Sequence, residues 1–146
     1  MTMTLEPNAW RSIHPLHAIL LAFAVPLFAG SLIADLAYWR TQHVQWINFS
    51  QWLNAGALVG GGLAILWALV ALIRAPRGLR GRPAIYFLLL VAMWAVGFVS
   101  ALVHARDAWA TMPAGIFWAA GATALALAAS WVGFAGFPHS YTYRSR

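Results

Sequence analysis

Four apolar stretches, at positions 16–38, 46–73, 84–104 and 113–137, alternate with short segments that collect arginine, histidine, proline and amides. Each stretch holds about 20 residues or more, enough to cross a hydrocarbon core of ~30 Å at about 1.5 Å rise per residue. Lipid offers nothing to hydrogen-bond an exposed backbone, so each stretch is predicted to be a helix. The first apolar run is too long for the core of a cleaved signal peptide and is expected to be retained. The connections are too short to hold another domain. The fold class is therefore all-α: residues 1–146 are expected to form a single four-helix transmembrane bundle.

Local punctuation fits these boundaries. Pro15, Pro83 and Pro113 each stand where a first helical residue would be, where a missing N–H costs nothing. Pro138 follows the fourth run as a stop. Pro26 lies inside the first run, removes the hydrogen bond to the Ala22 carbonyl and is expected to kink that helix. Gly56 and Gly60 stand at small-xxx-small spacing with Gly61 and Gly62 beside them, and the fourth run has alanine or glycine on nearly every turn. Small residues let helix backbones approach in lipid. That pattern fits internal packing first, and a seam for a second copy or another subunit second.

Composition narrows the class. The chain is 62% hydrophobic and 8% charged, too apolar for a soluble domain of this size. The net charge of +6 raises nucleic acid as a partner, but every basic residue is an arginine standing between or outside the apolar runs. That placement records membrane orientation. Arg74, Arg77, Arg80 and Arg82 crowd the second connection, and parity puts Arg11, Arg144 and Arg146 on the same side, leaving Arg40 and Arg106 opposite. The expected arrangement is both termini inside (N-in/C-in), in a bacterial inner membrane, with the lipid bilayer as partner and no nucleic acid. Trp10, Trp39, Trp46 and Trp109 fall near run ends, as interfacial anchors do. The absence of cysteine excludes disulfides, iron–sulfur clusters and thiolate metal sites.

Polar residues sort by depth into two clusters. His14, His17 and His139 belong to the cytoplasmic side. Asp35, His43, His104, Arg106 and Asp107 belong to the outer side, with Gln51 and Asn54 entering from the second helix. Asp35 lies about 28 Å along its helix from Leu16 and needs a partner there. Arg106 or His104, at the outer end of the third helix, lies at similar depth, and Arg106 is the expected partner, as a clamp between the first and third helices. Two readings stand for the histidines. One is interfacial anchoring. The other is ligation of haem b, by His17 with His139 or by His43 with His104, which requires two inward-facing neutral imidazoles at one depth. A quinone site is a further reading, since it needs a hydrogen-bonding His or Asp beside aromatic walls at the membrane boundary. No HExxH, P-loop or GxSxG is present, and a zinc site would need ligands these short loops do not gather. The middle of the runs holds no ionisable group for a proton path, and the two halves share no inverted-repeat pattern.

Three segments carry a resemblance. "IHPLHAILLAFAVPLFAGSLIADLAYWRT", "NFSQWLNAGALVGGGLA" and "LVHARDAWATMPAGI" resemble the first helix, second helix and third-helix ending of a bacterial family of small four-helix membrane proteins catalogued as a domain of unknown function. His14-Pro15 and His17 match its opening, Phe23 and Pro26 its Phe-Pro step, Asp35 its closing acid, and His104, Arg106 and Asp107 its third-helix end. Ala18 stands where the family often has a second proline, and "RPAIYFLL" lacks a histidine that members often carry. The resemblance implies a companion of redox proteins near quinone-linked electron transfer. The expected function is an accessory or anchor subunit of such an assembly. The alternatives are a self-contained haem b electron carrier and a structural homo-oligomer without ligand. No catalytic motif is recognisable, and a non-enzymatic role is expected.

Overall fold

The computed structural model describes residues 14–106 and 108–135. Four long helices, α1 (Pro15–Thr41), α2 (Val44–Arg74), α3 (Gly81–His104) and α5 (Ala114–Phe134), are each long and apolar enough to cross a membrane, and a single turn, α4 (Ala108–Thr111), precedes the last. Among the described residues there is no strand. The helices extend further toward each other than the apolar runs indicated. Only Gln42 and His43 separate α1 from α2.

Caps explain the ends. Pro15 takes the first helical position of α1, and His14 caps it by accepting the Leu16 N–H on Nδ1 at 3.3 Å. Gln42 ends α1 in the left-handed region at φ 58°, its N–H on the Tyr38 carbonyl and its Nε2 on Trp39 O at 3.0 Å. Arg80 folds back on the end of α2, donating to Ala75 O at 2.9 Å and Ile73 O at 3.1 Å. It thereby satisfies carbonyls that the helix end leaves open. α3 starts at Gly81, so Pro83 stands within the first turn and not at its head, and Pro113 is the cap of α5 and not its first residue. α1 continues through Pro26 without interruption.

The four long helices form a square. α1 packs on α2 and α5, α3 packs on the same two, and α1 and α3 face each other across a diagonal. Buried positions repeat in alternating steps of four and three: 17, 21, 24, 28, 31, 35 and 38 in α1, and 86, 90, 93, 97, 100 and 104 in α3. The same alternation gives 47, 50, 54, 57, 61, 64 and 68 in α2 and 115, 119, 122, 126, 129 and 133 in α5. This is the seven-residue repeat of coiled-coil and four-helix-bundle packing.

What occupies the repeat is unlike a soluble core. Leu21 and Phe28 from α1 meet Leu90 and Met93 from α3, while α2 and α5 supply mainly alanine. Large apolar side chains point outward instead, with Trp52 75% and Trp131 80% exposed. That distribution suits lipid, where apolar exterior costs nothing and helices associate by close packing. The glycines of α2 serve this internal packing. A Cβ on Gly56 would meet Leu27, and one on Gly60 would meet Phe23, both on α1, and one on Gly61 would meet Met93 of α3.

Gly97 is the tightest of these approaches. An added Cβ would lie 2.7 Å from ring atoms of Phe28, itself buried, so the ring has nowhere to swing. Gly97→Ala is expected to cost about 1–3 kcal/mol by overpacking, read as a lowered Tm in detergent. Gly81→Ala, with open space around the position, is the control and should leave Tm unchanged.

Candidate functional site

Each of three helices brings a polar pair at i, i+4 to the end of the bundle where α1 ends and α2 begins. The pairs are Ser31 and Asp35 on α1, Ser50 and Asn54 on α2, and Ser100 and His104 on α3. Residues four apart share a helix face, and here each face is the buried one. All six side chains are 1% exposed or less.

His104 is the hub. Its Nε2 lies 2.8 Å from Asp35 Oδ1 and 3.2 Å from Ser50 Oγ, and its Nδ1 lies 2.7 Å from the Ser100 carbonyl. Ser50 also meets Ser31 Oγ at 2.8 Å, and Asn54 donates to Gly97 O at 3.1 Å. Gln51 donates to His104 O at 2.6 Å and Thr111 to Val103 O at 3.3 Å, closing carbonyls at the end of α3. Asp35 Oδ2 and Asn54 Oδ1 are buried without a hydrogen-bond partner. Ser, His and Asp together raise the question of a hydrolytic triad. The geometry excludes it: acid and serine share one ring nitrogen, whereas a triad needs them on opposite nitrogens so that the histidine can relay between them.

The clamp expected between Asp35 and Arg106 gives way to a different pair. Asp35 is fully buried and turns into the bundle, where His104 meets it, while Arg106 is exposed beyond the end of α3. A carboxylate at zero exposure needs a partner at its own depth, and His104, two residues further inside, supplies it. Asp107 lies outside the described residues. His43 is exposed at the head of α2. The second member of that proposed haem pair, His104, has both nitrogens engaged within the protein.

The other end gathers His14, His17, Trp67 and Tyr86. His17 is buried, with Nε2 2.7 Å from the Tyr86 hydroxyl. Its ring runs along Trp67 at 6.0 Å between centroids and meets Tyr86 edge-on at 5.8 Å. His14, exposed, leans on the same indole at 4.9 Å. His17 Nδ1 is buried without a partner. His139 lies outside the described residues. Arg74, Arg77 and Arg82 stand exposed or half-buried at this end.

Sequence reasoning missed Ser31, Ser50, Ser100, Trp67 and Tyr86. The serines carried a legible signal, since each stands four residues before a polar residue already singled out or noted. Trp67 and Tyr86 carried none, being aromatics within aromatic-rich apolar runs.

A family model described as "Predicted membrane protein (DUF2231)" matches residues 13–143. No curated protein and no solved structure matches the chain. With four helices of spanning length, this makes the chain a multi-pass membrane protein in a lipid bilayer.

The geometry sets the energetic ranking at the Asp35 end. His104→Ala strands a buried carboxyl and is expected to cost about 3–5 kcal/mol. Arg106→Gln should change stability by less than about 0.5 kcal/mol. In a double-mutant cycle read by denaturation in detergent, Asp35→Asn and Arg106→Gln should add, while Asp35→Asn and His104→Ala should not.

Proposed function

The chain belongs to the DUF2231 family of predicted membrane proteins, and we propose that it is a small accessory or anchor subunit of a quinone-linked redox assembly. Its place is the bacterial inner membrane, with both termini and the arginine-bearing connection in the cytoplasm. One observation carries the reading: at the arginine end, His17 lies between an indole and a phenol and keeps a buried Nδ1 unspent. A quinone headgroup is a flat ring with a carbonyl at each end. It takes a hydrogen bond from an imidazole N–H and stacks against aromatic walls. The same nitrogen in the other tautomer accepts from a quinol hydroxyl. Trp67, half-buried along the His17 ring, is the side chain that yields when such a ring enters. The sequence resemblance to companions of redox proteins points the same way.

Of the two haem b pairs, His43 with His104 has less support, because His104 offers iron no free nitrogen. The homo-oligomer reading rests on the small-residue pattern alone: of the α2 glycines Gly61 is buried, Gly60 and Gly62 are half-buried and Gly56 is exposed.

Purification in mild detergent is expected to retain larger redox subunits and to give a preparation without a Soret band. A short-chain quinone at 100 times its Kd should stabilise the protein by about 2.7 kcal/mol, and His17→Phe should abolish that shift. A Soret band, or a quinone response untouched by His17→Phe, counts against the site. The chain has no cysteine, so Arg40→Cys and Arg77→Cys report sidedness cleanly. An impermeant maleimide applied to cells with a permeabilised outer membrane should label the first and spare the second.

A further inference from the structure

We infer that Asp35 and His104 form a one-proton binding site whose occupancy holds α1 against α3. The argument rests on which atoms meet. His104 Nδ1 lies 2.7 Å from the Ser100 carbonyl oxygen. A carbonyl only accepts, so Nδ1 carries a hydrogen. His104 Nε2 lies 2.8 Å from Asp35 Oδ1. Two lone pairs do not sit at that distance in a low-dielectric interior, so a proton lies between them. Written as imidazolium with carboxylate or as imidazole with carboxylic acid, the pair holds the same protons and carries no net charge. Ser50 is no substitute donor. It has one hydrogen, and the Ser31 carbonyl at 3.2 Å and hydroxyl at 2.8 Å compete for it.

The surroundings make this proton consequential. Around the pair are Ser31 from α1, Ser50 from α2 and Ser100 from α3. A Cβ on Gly115 of α5 would lie 3.2 Å from the His104 ring. None of these side chains titrates in the ordinary pH range. Among the described residues no arginine pairs with Asp35, and Arg40, His43 and Arg106, at the same end, are all exposed. Loss of the proton leaves a buried carboxylate with Oδ2 bare and Oδ1 against an imidazole lone pair. Water entry or parting of α1 from α3 is then the only relief.

The sign follows from counting protons. In an unfolded chain, a free carboxyl titrates near ~4 and a free imidazole near ~6.5. Between those values, folded and unfolded chains hold the same number on these two groups. Above ~6.5 the folded chain holds one more, so stability falls as pH rises.

The test uses the full chain in detergent micelles, unfolded by denaturant at a series of pH values. Wild type is expected to lose up to about tenfold in its folded-to-unfolded ratio per pH unit above ~6.5. Asp35→Asn places an amide N–H on Nε2 and cannot release it, so its alkaline arm should be flat. Equal alkaline slopes in the two proteins overturn the inference. Nitrogen-15 spectra of the histidine-labelled wild type decide independently, and remain decisive if Asp35→Asn fails to fold. Nδ1 of His104 should stay protonated throughout, while the Nε2 resonance should shift on the alkaline side as the pair gives up the proton it shares. A neutral tautomer with Nε2 protonated and Nδ1 bare at neutral pH overturns the site.

Discussion

A carboxyl group with no exposure has to be met by a partner at its own depth, and the 2.8 Å contact between Asp35 and His104 is how this bundle meets it. The contact crosses the diagonal of the square, joining two helices whose backbones share little direct packing. It therefore sets the register of α1 against α3. At the far end His17 meets Tyr86 at the same separation of 69 positions. Midway, Phe28 fills the space over Gly97 with the same offset. A slip of one residue would unpair Asp35 and His17 together and drive the Phe28 ring against a residue with a side chain. Parallel diagonal helices in one fixed register leave α2 and α5 to fill the flanks, and alanine is the residue that fits there.

The bundle is inverted relative to a soluble one. Its largest apolar side chains face outward and its seven-residue repeat holds serine, aspartate, asparagine, histidine, glycine and alanine beside a few large residues. Attraction between helices in lipid comes from close packing and interhelical hydrogen bonds, because apolar surface gains nothing by leaving an apolar solvent. The buried polar side chains of α1, α2 and α3 gather toward the ends. Between Asn54 and Tyr86 the core is Phe28, Ala57, Leu90, Met93 and their neighbours, so the two polar ends are separate sites, not the mouths of one path.

How much of this was legible follows from the same physics. Helix existence was legible because hydrocarbon thickness dictates run length and lipid dictates helix. Pro15 marked its boundary because its ring geometry has one comfortable place at a helix start. Asp35 and His104 stood out as ionisable groups in apolar runs. His104 and Arg106 both stood at the right depth to meet Asp35; Arg106 carries the more obvious charge, and only burial distinguishes the two. The seven-residue repeat was hidden more deeply. In water a buried face announces itself by an apolar stripe against a polar one, but here the lipid-facing side of α2 is apolar and the buried side is marked by small residues, Ser50, Ala57, Gly61, Ala64 and Ala68. The spacing of Ser31, Ser50 and Ser100 from their partners was the readable trace, and serine is too ordinary in membrane helices to draw attention unless all three pairs are aligned together.

The two ends differ in what they leave undone, and that difference bears on which could serve an outside molecule. At the Asp35 end both nitrogens of His104 are committed and the carbonyls of α3 are closed by Gln51 and Thr111. What remains there are two acceptors, Asp35 Oδ2 and Asn54 Oδ1, whose natural occupants are a proton or a water. At the arginine end the unspent atom belongs to a ring stacked beside an indole. Opening that site moves one aromatic side chain, whereas opening the other breaks the contacts that hold three helices in register. The carboxyl end holds the bundle together, so a bulky substrate at the Asp35 cluster would have to repay the disruption of the fold before gaining any affinity.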